Sequence, residues 1–398
     1  MPAKIRPAGV PATFVSVAAI LALAVVGVVV LGGGKAAAVQ QLSCGDTITA
    51  DATLHHNLIN CPNNGILIGA DNITLDLNYH RIDGDGEFPA AGCGPQDDCD
   101  LGVASIGHDG VTVVHGSVRE FAIGVAVASF VGNARHNRVL DISSSKNDFF
   151  GIGFFGVARS VIRNSSSSRN IPPEGDGIGL FGSNHVRIVH NKIRHNPGPG
   201  IHVADSNENL IKRSVFSRNS PGILLGGDRF EADRNQIRRN RCARNSACVL
   251  VSPGTRNVIA RNRISKGGDG VAIEKGHRNV VARNDIVGPH GHGVYLALNR
   301  PPIGGHDNLV RRNFVRRSGA DAFLVRREDR HSRLKRNLAV GTRGDGFDVQ
   351  SRSAKLTRNE ARRNRDLGIE AVRSVHDGGG NVARHNGDLR QCTNIVCN

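Results

Sequence analysis

A short asparagine-centred unit returns many times along this chain. Its two clearest copies are Arg256–Ile264 and Arg278–Ile286, and equivalent positions follow one another at intervals of 21 to 29 residues. A unit of this size cannot bury an apolar core of its own, so successive units must stack along an axis. The recurring position is occupied, in chain order, by Ser143, Asn164, Asn191, Ser214, Asn240, Asn262, Asn284, Asn313, Asn337, Asn359 and Asn386.

Each unit also contains a glycine followed by an apolar residue, as in Gly270-Val271 and Gly293-Val294, and a second apolar residue two positions later. Alternation with a period of two indicates β-strands that have one buried face. A coil of about 22 residues can carry two or three such strands, each paired with its equivalent in the next coil about 4.8 Å away. The pattern therefore predicts an all-β fold, a right-handed parallel β-helix solenoid of about eleven or twelve coils.

The recurring polar and small residues have expected roles in such a solenoid. We expect the asparagine amides to face inward at the bends, where they satisfy backbone groups and bond identical amides in the neighbouring coils. Glycine is expected to supply the φ values that the bends need. The absence of Trp and the presence of only two Tyr fit a narrow interior lined by Ile, Val and Leu. A leucine-rich repeat has a similar period, but the regular leucine spacing it requires is missing.

The two ends of the chain differ from the repeats. Lys4 and Arg6 precede the apolar run Phe14–Leu31, and Ala36–Ala38 offers a small-residue cleavage site, so the first segment is predicted to be a secretory signal peptide. An uncleaved membrane anchor is the alternative, because eighteen apolar residues are just enough to span a bilayer. The predicted signal or anchor, N-terminal cap, repeats and C-terminal cap are residues 1–38, 39–62, 63–377 and 378–398.

The cysteines support a location outside the cytoplasm. Eight are present, in four pairs of close neighbours, which is the pattern of local disulfides formed in an oxidising compartment. Metal binding is disfavoured, since no CxxC motif occurs and no histidine has zinc-finger spacing. We therefore predict a secreted or cell-envelope protein without a metal site. The predicted disulfides are Cys44–Cys61, Cys93–Cys99, Cys242–Cys248 and Cys392–Cys397.

The net charge of +16 at pH 7 points to an anionic partner. A basic cytoplasmic protein would suggest nucleic acid, but for an exported chain an acidic polysaccharide or an anionic envelope surface fits better, and no nucleic-acid partner is expected. A solvated basic face without a partner is the alternative, because part of the charge is the arginine that precedes many repeat asparagines. No nucleotide or phosphate motif occurs, so no cofactor is expected, with calcium left open.

One segment resembles a known family. Ile66–Asn78, followed by His80 and Ile82, is similar to the opening coil of the right-handed parallel β-helix repeat proteins, the pectin-lyase-like superfamily. That resemblance implies the same fold over the whole mature chain. The superfamily includes polysaccharide lyases, polygalacturonases, uronan C5-epimerases and exported proteins without known activity. Gly291–Gly293 reads as the Gly-His-Gly of polygalacturonases, but the accompanying Asn-Thr-Asp and Arg-Ile-Lys motifs are absent, as is the Asp-Pro-His-Asp of alginate epimerases. We interpret that triplet as an ordinary coil turn.

We call the glycine and the apolar residue after it the glycine step. When the coils are aligned on this step, ionisable residues fall into two outward columns. The position before the step gives Asp269, His292, Asp321 and Asp345 in four consecutive coils. The position two residues after the step gives Tyr295, Leu324, Asp348 and Glu370. Coil stacking places neighbours about 5 Å apart and next-nearest members about 10 Å apart, distances that paired carboxyl groups have in glycosidases.

These columns carry the catalytic hypothesis. A lyase or epimerase needs a base, an acid such as Tyr or His, and a cation that neutralises the uronate. Arg300 and Arg326 are the nearest candidate cations, with the insertion at 300–305 a candidate groove wall. The hypothesis gives catalytic roles to Asp269, His292, Tyr295, Asp321 and Asp345. It gives substrate-binding roles to Asp348, Glu370 and Arg326.

An architectural interpretation competes with this one. Aspartate before glycine is a common turn residue whose carboxylate bonds nearby backbone N–H groups. If at least three of the four side chains in the first column are used on their own turns, the column is architecture. The function hypothesis is thus an exported protein that binds an acidic polysaccharide and cleaves or epimerises it, as a lyase, epimerase or glycoside hydrolase. The alternative is a non-catalytic structural or adhesive solenoid.

Overall fold

The computed structural model of the chain describes residues 41–87, 100–227, 229–297 and 305–398. Within these residues the fold is a parallel β-solenoid without helices, and each complete coil contributes three strands. The first ladder, sheet 1, has fifteen parallel strands. They are Asp46–Ile48, Ile66–Ile68, Leu101–Ile106, Ile123–Ala128, Phe150–Phe155, Asp176–Phe181, Ile201–Ala204, Ile223–Leu225, Ala247–Val251, Asp269–Glu274, Val294–Ala297, Phe323–Val325, Phe347–Val349, Ile369–Ala371 and Cys392–Thr393.

The other two strands of each coil form two further parallel ladders, sheet 2 and sheet 3. Sheet 2 contains Ala52–Thr53, Thr74–Asp76, Thr112–Arg119, Arg138–Ser145, Val161–Arg163, Arg187–Val189, Leu210–Lys212, Gln236–Arg238, Val258–Ala260, Val280–Ala282, Leu309–Arg311, Arg333–Lys335, Lys355–Thr357 and His376–Asp377.

Sheet 3 contains Leu58–Cys61, Arg81–Gly84, Ser166–Ser168, Lys192–Arg194, Val215–Ser217, Arg241–Ala243, Arg263–Ser265, Asp285–Val287, Phe314–Arg316, Leu338–Val340, Glu360–Arg362 and Val382–Arg384, joined through the long strands 112–119 and 138–145 that it shares with sheet 2. Two short pairs complete the fold, Ala134–Arg135 with Val157–Ala158 and Gly254–Thr255 with Gly276–His277.

Fifteen strands in sheet 1 exceed the eleven or twelve coils predicted from the asparagine spacing. The difference lies at the N-terminus, where coils form without the repeat asparagine. The predicted cap is residues 39–62, and its described part, 41–62, contains three strands that pair with the next coil, so this part forms the first coil. In the predicted C-terminal cap, Val382–Arg384 and Cys392–Thr393 likewise pair with the preceding coil.

The interior is narrow and apolar, as predicted. Inward side chains of sheet 1 stack in register from coil to coil and are almost fully buried. Removing each such side chain from water contributes roughly 1.5–3 kcal/mol before entropic costs, so stacking coils supplies the stability that one coil lacks. A continuous stretch of this column is formed by Ile178, Ile201, Ile223, Val249, Val271 and Val294.

Buried amides or hydroxyls lie at three corners of each coil, whereas the sequence analysis predicted one such position per coil. At the corner between sheets 2 and 3, the Asn284 amide nitrogen donates to Asn313 Oδ1 at 3.0 Å, and its Oδ1 accepts from Asn262 at 3.0 Å. Equivalent ladders lie at the other two corners, with Asn257 bonded to Asn279 and Asn196 bonded to Asn219. The predicted inward-facing asparagine ladder is therefore correct in kind, and it is present three times.

The prediction is wrong for three of the residues that it assigns to the ladder. Asn164 is exposed with φ of 54°, and the buried Ser165 takes the ladder position after it. Asn386 belongs to a different corner, because it bonds Asn364, whereas Asn381 continues the ladder beyond Asn359. Ser143 lies one residue past the ladder position, since the N–H of Ile142 donates to Ser165.

The predicted role of the repeat glycines is also wrong. Gly270 does not have a positive φ; a Cβ built on it would lie 2.3 Å from the carbonyl oxygen of Gly293 in the next coil. These glycines are required by close approach of successive backbones. Among the non-glycine residues, positive φ values fall mostly on the residue before a ladder position, which is usually Arg, His or Lys, as with Arg244 and Arg261, both at 58°. The buried amide stabilises a turn conformation that is costly for such residues.

Three of the four predicted disulfides are formed, Cys44–Cys61, Cys242–Cys248 and Cys392–Cys397. Cys93–Cys99 lies outside the described residues, as do residues 1–40 with the predicted signal and most of the 300–305 insertion. The part of the chain that the structure describes contains no helix long and apolar enough to cross a membrane.

Candidate functional site

The strand register of sheet 1 places the candidate residues on one outward face. Tyr295, Leu324, Asp348 and Glu370 are direct partners in four consecutive strands. Alternate residues of a strand point to opposite sides, so these side chains lie outside while Val294 and its equivalents fill the interior. His292, Asp321 and Asp345 precede the first three of these strands, and Asp269 begins the strand of the coil before them, Asp269–Glu274, so the four form the parallel column.

The carboxylates of the first column are partly used by the backbone. Asp269 Oδ1 accepts the N–H of His292 at 2.6 Å, and Asp321 Oδ1 accepts the N–H of Asp345 at 2.8 Å. Asp345 Oδ1 accepts the N–H of Leu367 at 2.8 Å. Each bond crosses to the next coil, whereas the architectural interpretation expected a bond to the aspartate's own turn. One oxygen of each carboxyl group therefore supports coil stacking, and the second oxygen is left for other contacts.

His292 is the centre of the cluster. Its Nδ1 lies 3.4 Å from Asp321 Oδ2, and the two side chains are 24% and 18% exposed. Its ring is nearly parallel to the Tyr295 ring, with 15° between planes and 5.4 Å between centroids. No aligned hydrogen bond holds Nδ1 within the described residues. The ring therefore packs against the tyrosine with a carboxylate close to one nitrogen.

The neighbouring carboxyl groups have raised pKa values. Burial raises the pKa of Asp345 to about 8, and nearby Asp321, Asp366 and Glu370 add to that effect. Burial also raises the pKa of Asp348 to about 6, against an opposing hydrogen bond of 2.7 Å from Gln350 Nε2. At neutral pH the first group is mostly protonated and the second mostly ionised. Acidic groups whose pKa values diverge in this way are typical of catalytic sites.

The second column supplies a neutral acid and a cation. Burial raises the pKa of the Tyr295 phenol, while Arg326 opposes that shift from close by. Tyr295 therefore stays protonated at neutral pH, and Arg326 is exposed beside it. Arg300, the other predicted cation, lies outside the described residues. Proton donor, imidazole, carboxylates and guanidinium are thus assembled on one face of rigid strands.

Two features of this face were missed in the sequence. Glu274 points outward in the strand before Tyr295, and burial raises its pKa. The sequence pattern could have identified Glu274, because its position four residues after Gly270 is an outward one. Nearer the middle of the chain, His202 Nδ1 lies 3.2 Å from Asp176 Oδ2; both side chains are buried, and the His202 ring packs edge-on against Phe181. That pair is inaccessible to a polymer and belongs to packing.

The raised pKa of Asp345 gives a test through stability. The folded state binds the proton more tightly than the unfolded chain, whose aspartate titrates near about 3.9. The stabilising contribution is therefore complete below that value and is lost as pH rises through about 8. We expect the urea midpoint of the wild type to fall between about pH 5 and about pH 9, and Asp345→Asn to fall less.

The control for this measurement is Asp388→Asn. Its partner Arg390 lowers the pKa of Asp388 to about 2, so its titration lies outside the tested range and the wild-type slope should be retained. An Asp345→Asn slope equal to that of the wild type would contradict the pKa assigned to Asp345.

Comparison with known proteins supports the fold. A family model described as "Periplasmic copper-binding protein (NosD)" matches residues 140–300, which is less than half of the chain. The A-module of Azotobacter vinelandii mannuronan C-5 epimerase AlgE6 is similar in structure, with a TM-score of 0.59 at 13% identity, covering 80% of this chain and 90% of that one. The AlgE4 A-module from the same organism gives 0.54 at 11% identity, covering 79% and 89%. No curated protein matches by sequence.

Solenoid topology and these neighbours define the class: the chain has the right-handed parallel β-helix fold that the resemblance of its opening coil implied. At these identities the likeness concerns the fold alone. The described residues do not fit a copper site. Cys242 and Cys248 in the matched segment form a disulfide, and no group of three or more His, Cys, Asp or Glu side chains is placed to hold a metal ion in the described ranges.

Proposed function

We propose that the protein binds an acidic polysaccharide across the outward face of sheet 1 and modifies its uronate units at the His292 cluster, as a lyase or C5-epimerase. The observation that carries the proposal is the His292 ring held between Tyr295 and Asp321, with carboxyl groups of divergent pKa beside it. The two structural neighbours reported above are mannuronan epimerase modules, and that makes mannuronan the first substrate to test. One fold serves several chemistries, so the neighbours supply the substrate to test first, and the side chains of the cluster supply the reaction.

The cluster can carry the proton transfers of such a reaction. His292 Nδ1 lies 3.4 Å from Asp321 Oδ2, and closing that distance on substrate binding would hold the proton on Nδ1 and leave Nε2 to take the C5 proton. Arg326 would pair with the uronate carboxylate and stabilise the negative charge that develops there. In elimination, the C5 electron pair forms the C4–C5 double bond as the C4–O bond breaks, and Tyr295 protonates the leaving oxygen. In epimerisation, Tyr295 returns a proton to the opposite face of C5.

We propose that this activity lies outside the cytoplasm, in the periplasm or secreted. Three disulfides within the described residues fit an oxidising compartment, and the family model that matches part of the chain is named for periplasmic proteins. Cleavage after Ala38 would release a soluble protein, and retention of residues 1–38 would leave it anchored through the N-terminal segment.

A screen of the exported protein tests the proposal. The protein is incubated with mannuronan, alginate, pectate and glycosaminoglycans, with and without calcium, and its first residue is determined by sequencing. We expect Val39 as the first residue and either unsaturated product, read in the ultraviolet, or a change in the ratio of uronate epimers. Met1 as the first residue would contradict cleavage.

The non-catalytic alternative is favoured by one observation, the use of three aspartate oxygens to support coil stacking. Retained binding with no product on any polymer would reject the enzyme proposal and leave a binding protein. The absence of both product and binding would leave a structural or adhesive solenoid.

A further inference from the structure

A second surface, on sheet 2, is lined by cations and contains no acidic residue. We name it the basic track. Its first part is a depression of about 360 Å³ bordered by Lys212, Arg238, Arg239, Arg261 and Arg283, and it reaches Arg311. Arg311 also borders a second depression of about 480 Å³, so the two parts are continuous along the solenoid axis.

The second part is equally basic. Arg312, Arg333, Lys335, Arg336 and Lys355 line it together with Arg311. The track thus extends over seven coils of sheet 2, from Leu210–Lys212 to Lys355–Thr357, which at about 4.8 Å per coil is roughly 30 Å.

The turn chemistry of the repeat produces this array. Arg239, Arg261 and Arg283 each have a φ between 55° and 58° and each precedes a buried ladder asparagine. The ladder fixes the turn, so the arginines are repeated at the spacing of the coils. Like charges at such spacing repel one another, and the neighbouring arginines, Arg213 most strongly, lower the pKa of Lys212.

The cations of the track are not neutralised by the protein. Elsewhere arginines pair with acids, as Arg234 does with Glu208 at 2.8 Å and Arg316 with Asp285 at 3.1 Å. Within the described part of the chain, no cation of the track forms an ion pair. A row of unpaired cations along a rigid edge attracts a linear polyanion and gains from binding it.

The floor of the track indicates the kind of polyanion. Leu210, Val258, Val280 and Leu309 lie in one outward column of the track, interrupted by Gln236, and Ala260 and Ala282 lie beside them. This part of the floor offers apolar surface to the C–H faces of sugar rings. The aromatic side chains on which single-stranded nucleic acids stack are absent from its lining. The two depressions are recessed, which disfavours a flat membrane surface.

We propose that the basic track binds a linear anionic polysaccharide along the solenoid axis, at a surface separate from the His292 cluster. The polymer's carboxylates or sulfates pair with the arginines of successive coils, and its rings lie on the apolar floor. Binding here does not depend on catalysis at sheet 1. The track would keep a long polysaccharide attached to the protein while another part of the same polysaccharide contacts the sheet 1 face.

The test compares two triple variants of equal charge. Arg239→Asn, Arg261→Asn and Arg283→Asn remove three cations of the track. Asparagine tolerates the left-handed backbone of these turns, and the net charge falls by three.

The control is Arg218→Asn, Arg244→Asn and Lys266→Asn, at the corner between sheets 3 and 1. Their φ values of 57°, 58° and 56° match those of the track residues, and the charge change is the same. Dissociation constants are measured by calorimetry at low and high salt for alginate, heparin, a poly-thymidine oligonucleotide and phosphatidylglycerol vesicles. Thermal unfolding of each variant verifies that it is folded.

We expect the track variant to bind alginate or heparin about ten-fold more weakly at low salt, and the control to stay within about two-fold of the wild type. The difference should shrink at high salt because screening weakens exposed charge pairs. Equal losses in both variants, no loss in the track variant, or no binding of either polysaccharide would overturn the proposal. Tighter binding of the oligonucleotide or the vesicles would overturn its choice of partner. The assay measures binding without turnover, so a failure of the proposed reaction at sheet 1 leaves its result unchanged and the two proposals fail separately.

Discussion

Tyr295→Phe is expected to lower the turnover of the polymer that the screen identifies by about 100-fold or more, the usual contribution of a positioned general acid. The substitution removes one hydroxyl and keeps the ring that lies against His292. Folding and polymer binding should therefore be retained, and the loss should appear in kcat with little change in KM. Initial rates over a range of polymer concentrations measure both constants.

The chain provides a matched control in its other tyrosine. Tyr79 is 83% exposed and stacks on His115 far along the solenoid, so Tyr79→Phe makes the same chemical change away from the cluster. Its rate should equal that of the wild type. A Tyr295→Phe variant with full activity would remove Tyr295 from the mechanism, and His292→Gln with full activity as well would show that the cluster is not the active site.

The pH profile of kcat adds an independent readout. Burial raises the pKa of Asp348 to about 6 and that of Asp345 to about 8. If the reaction needs the first ionised and the second protonated, the rate rises through about pH 6 and falls through about pH 8. Asp345→Asn should remove the alkaline fall. A flat profile between these values in the wild type would argue against roles for both groups.

The placement of the candidate residues could be predicted from the sequence because stacking is periodic. Once the glycine step is found, residues such as Tyr295 and Asp348 must lie outside and in line, and the strand register confirms this alignment. The sequence predicts a cap where the first coil lies, because the strand Asp46–Ile48 pairs with Ile66–Ile68 without a repeat asparagine in its coil. Apolar alternation is too short there to mark a coil alone.

Other details depend on side-chain geometry that spacing does not encode. Asp345 and Asp321 were expected to be free or to bond their own turns, but each accepts an amide of the next coil. The choice depends on where the amide of the neighbouring coil points. In the same way the arginine before a ladder asparagine reads as surface charge in the sequence, although Arg261 occupies a backbone region usually given to Gly or Asn.

Asn284→Ala is expected to lower the free energy of unfolding by roughly 1–3 kcal/mol, because it leaves buried hydrogen-bonding groups without partners. Asn284 is 1% exposed. Its Oδ1 accepts from the backbone and side-chain nitrogens of Asn262 at 2.9 and 3.0 Å. Its Nδ2 donates to Ile259 O and to Asn313 Oδ1, both at 3.0 Å. Alanine removes all four bonds, and water cannot replace them without opening the stacked coils.

The comparison for this prediction is Asn386→Ala, near the C-terminal end of the solenoid. Asn386 is also buried, but it bonds Asn364 on one side and the nearby Gln391 on the other, and few coils follow it. In a solenoid, stability is a sum of neighbour contacts, so a defect near an end disturbs one interface where a central defect disturbs two. Urea unfolding of both variants should give the larger loss for Asn284→Ala. Equal and negligible losses would show that the stacked apolar side chains alone hold the coils together and that the amide ladders contribute nothing to stability.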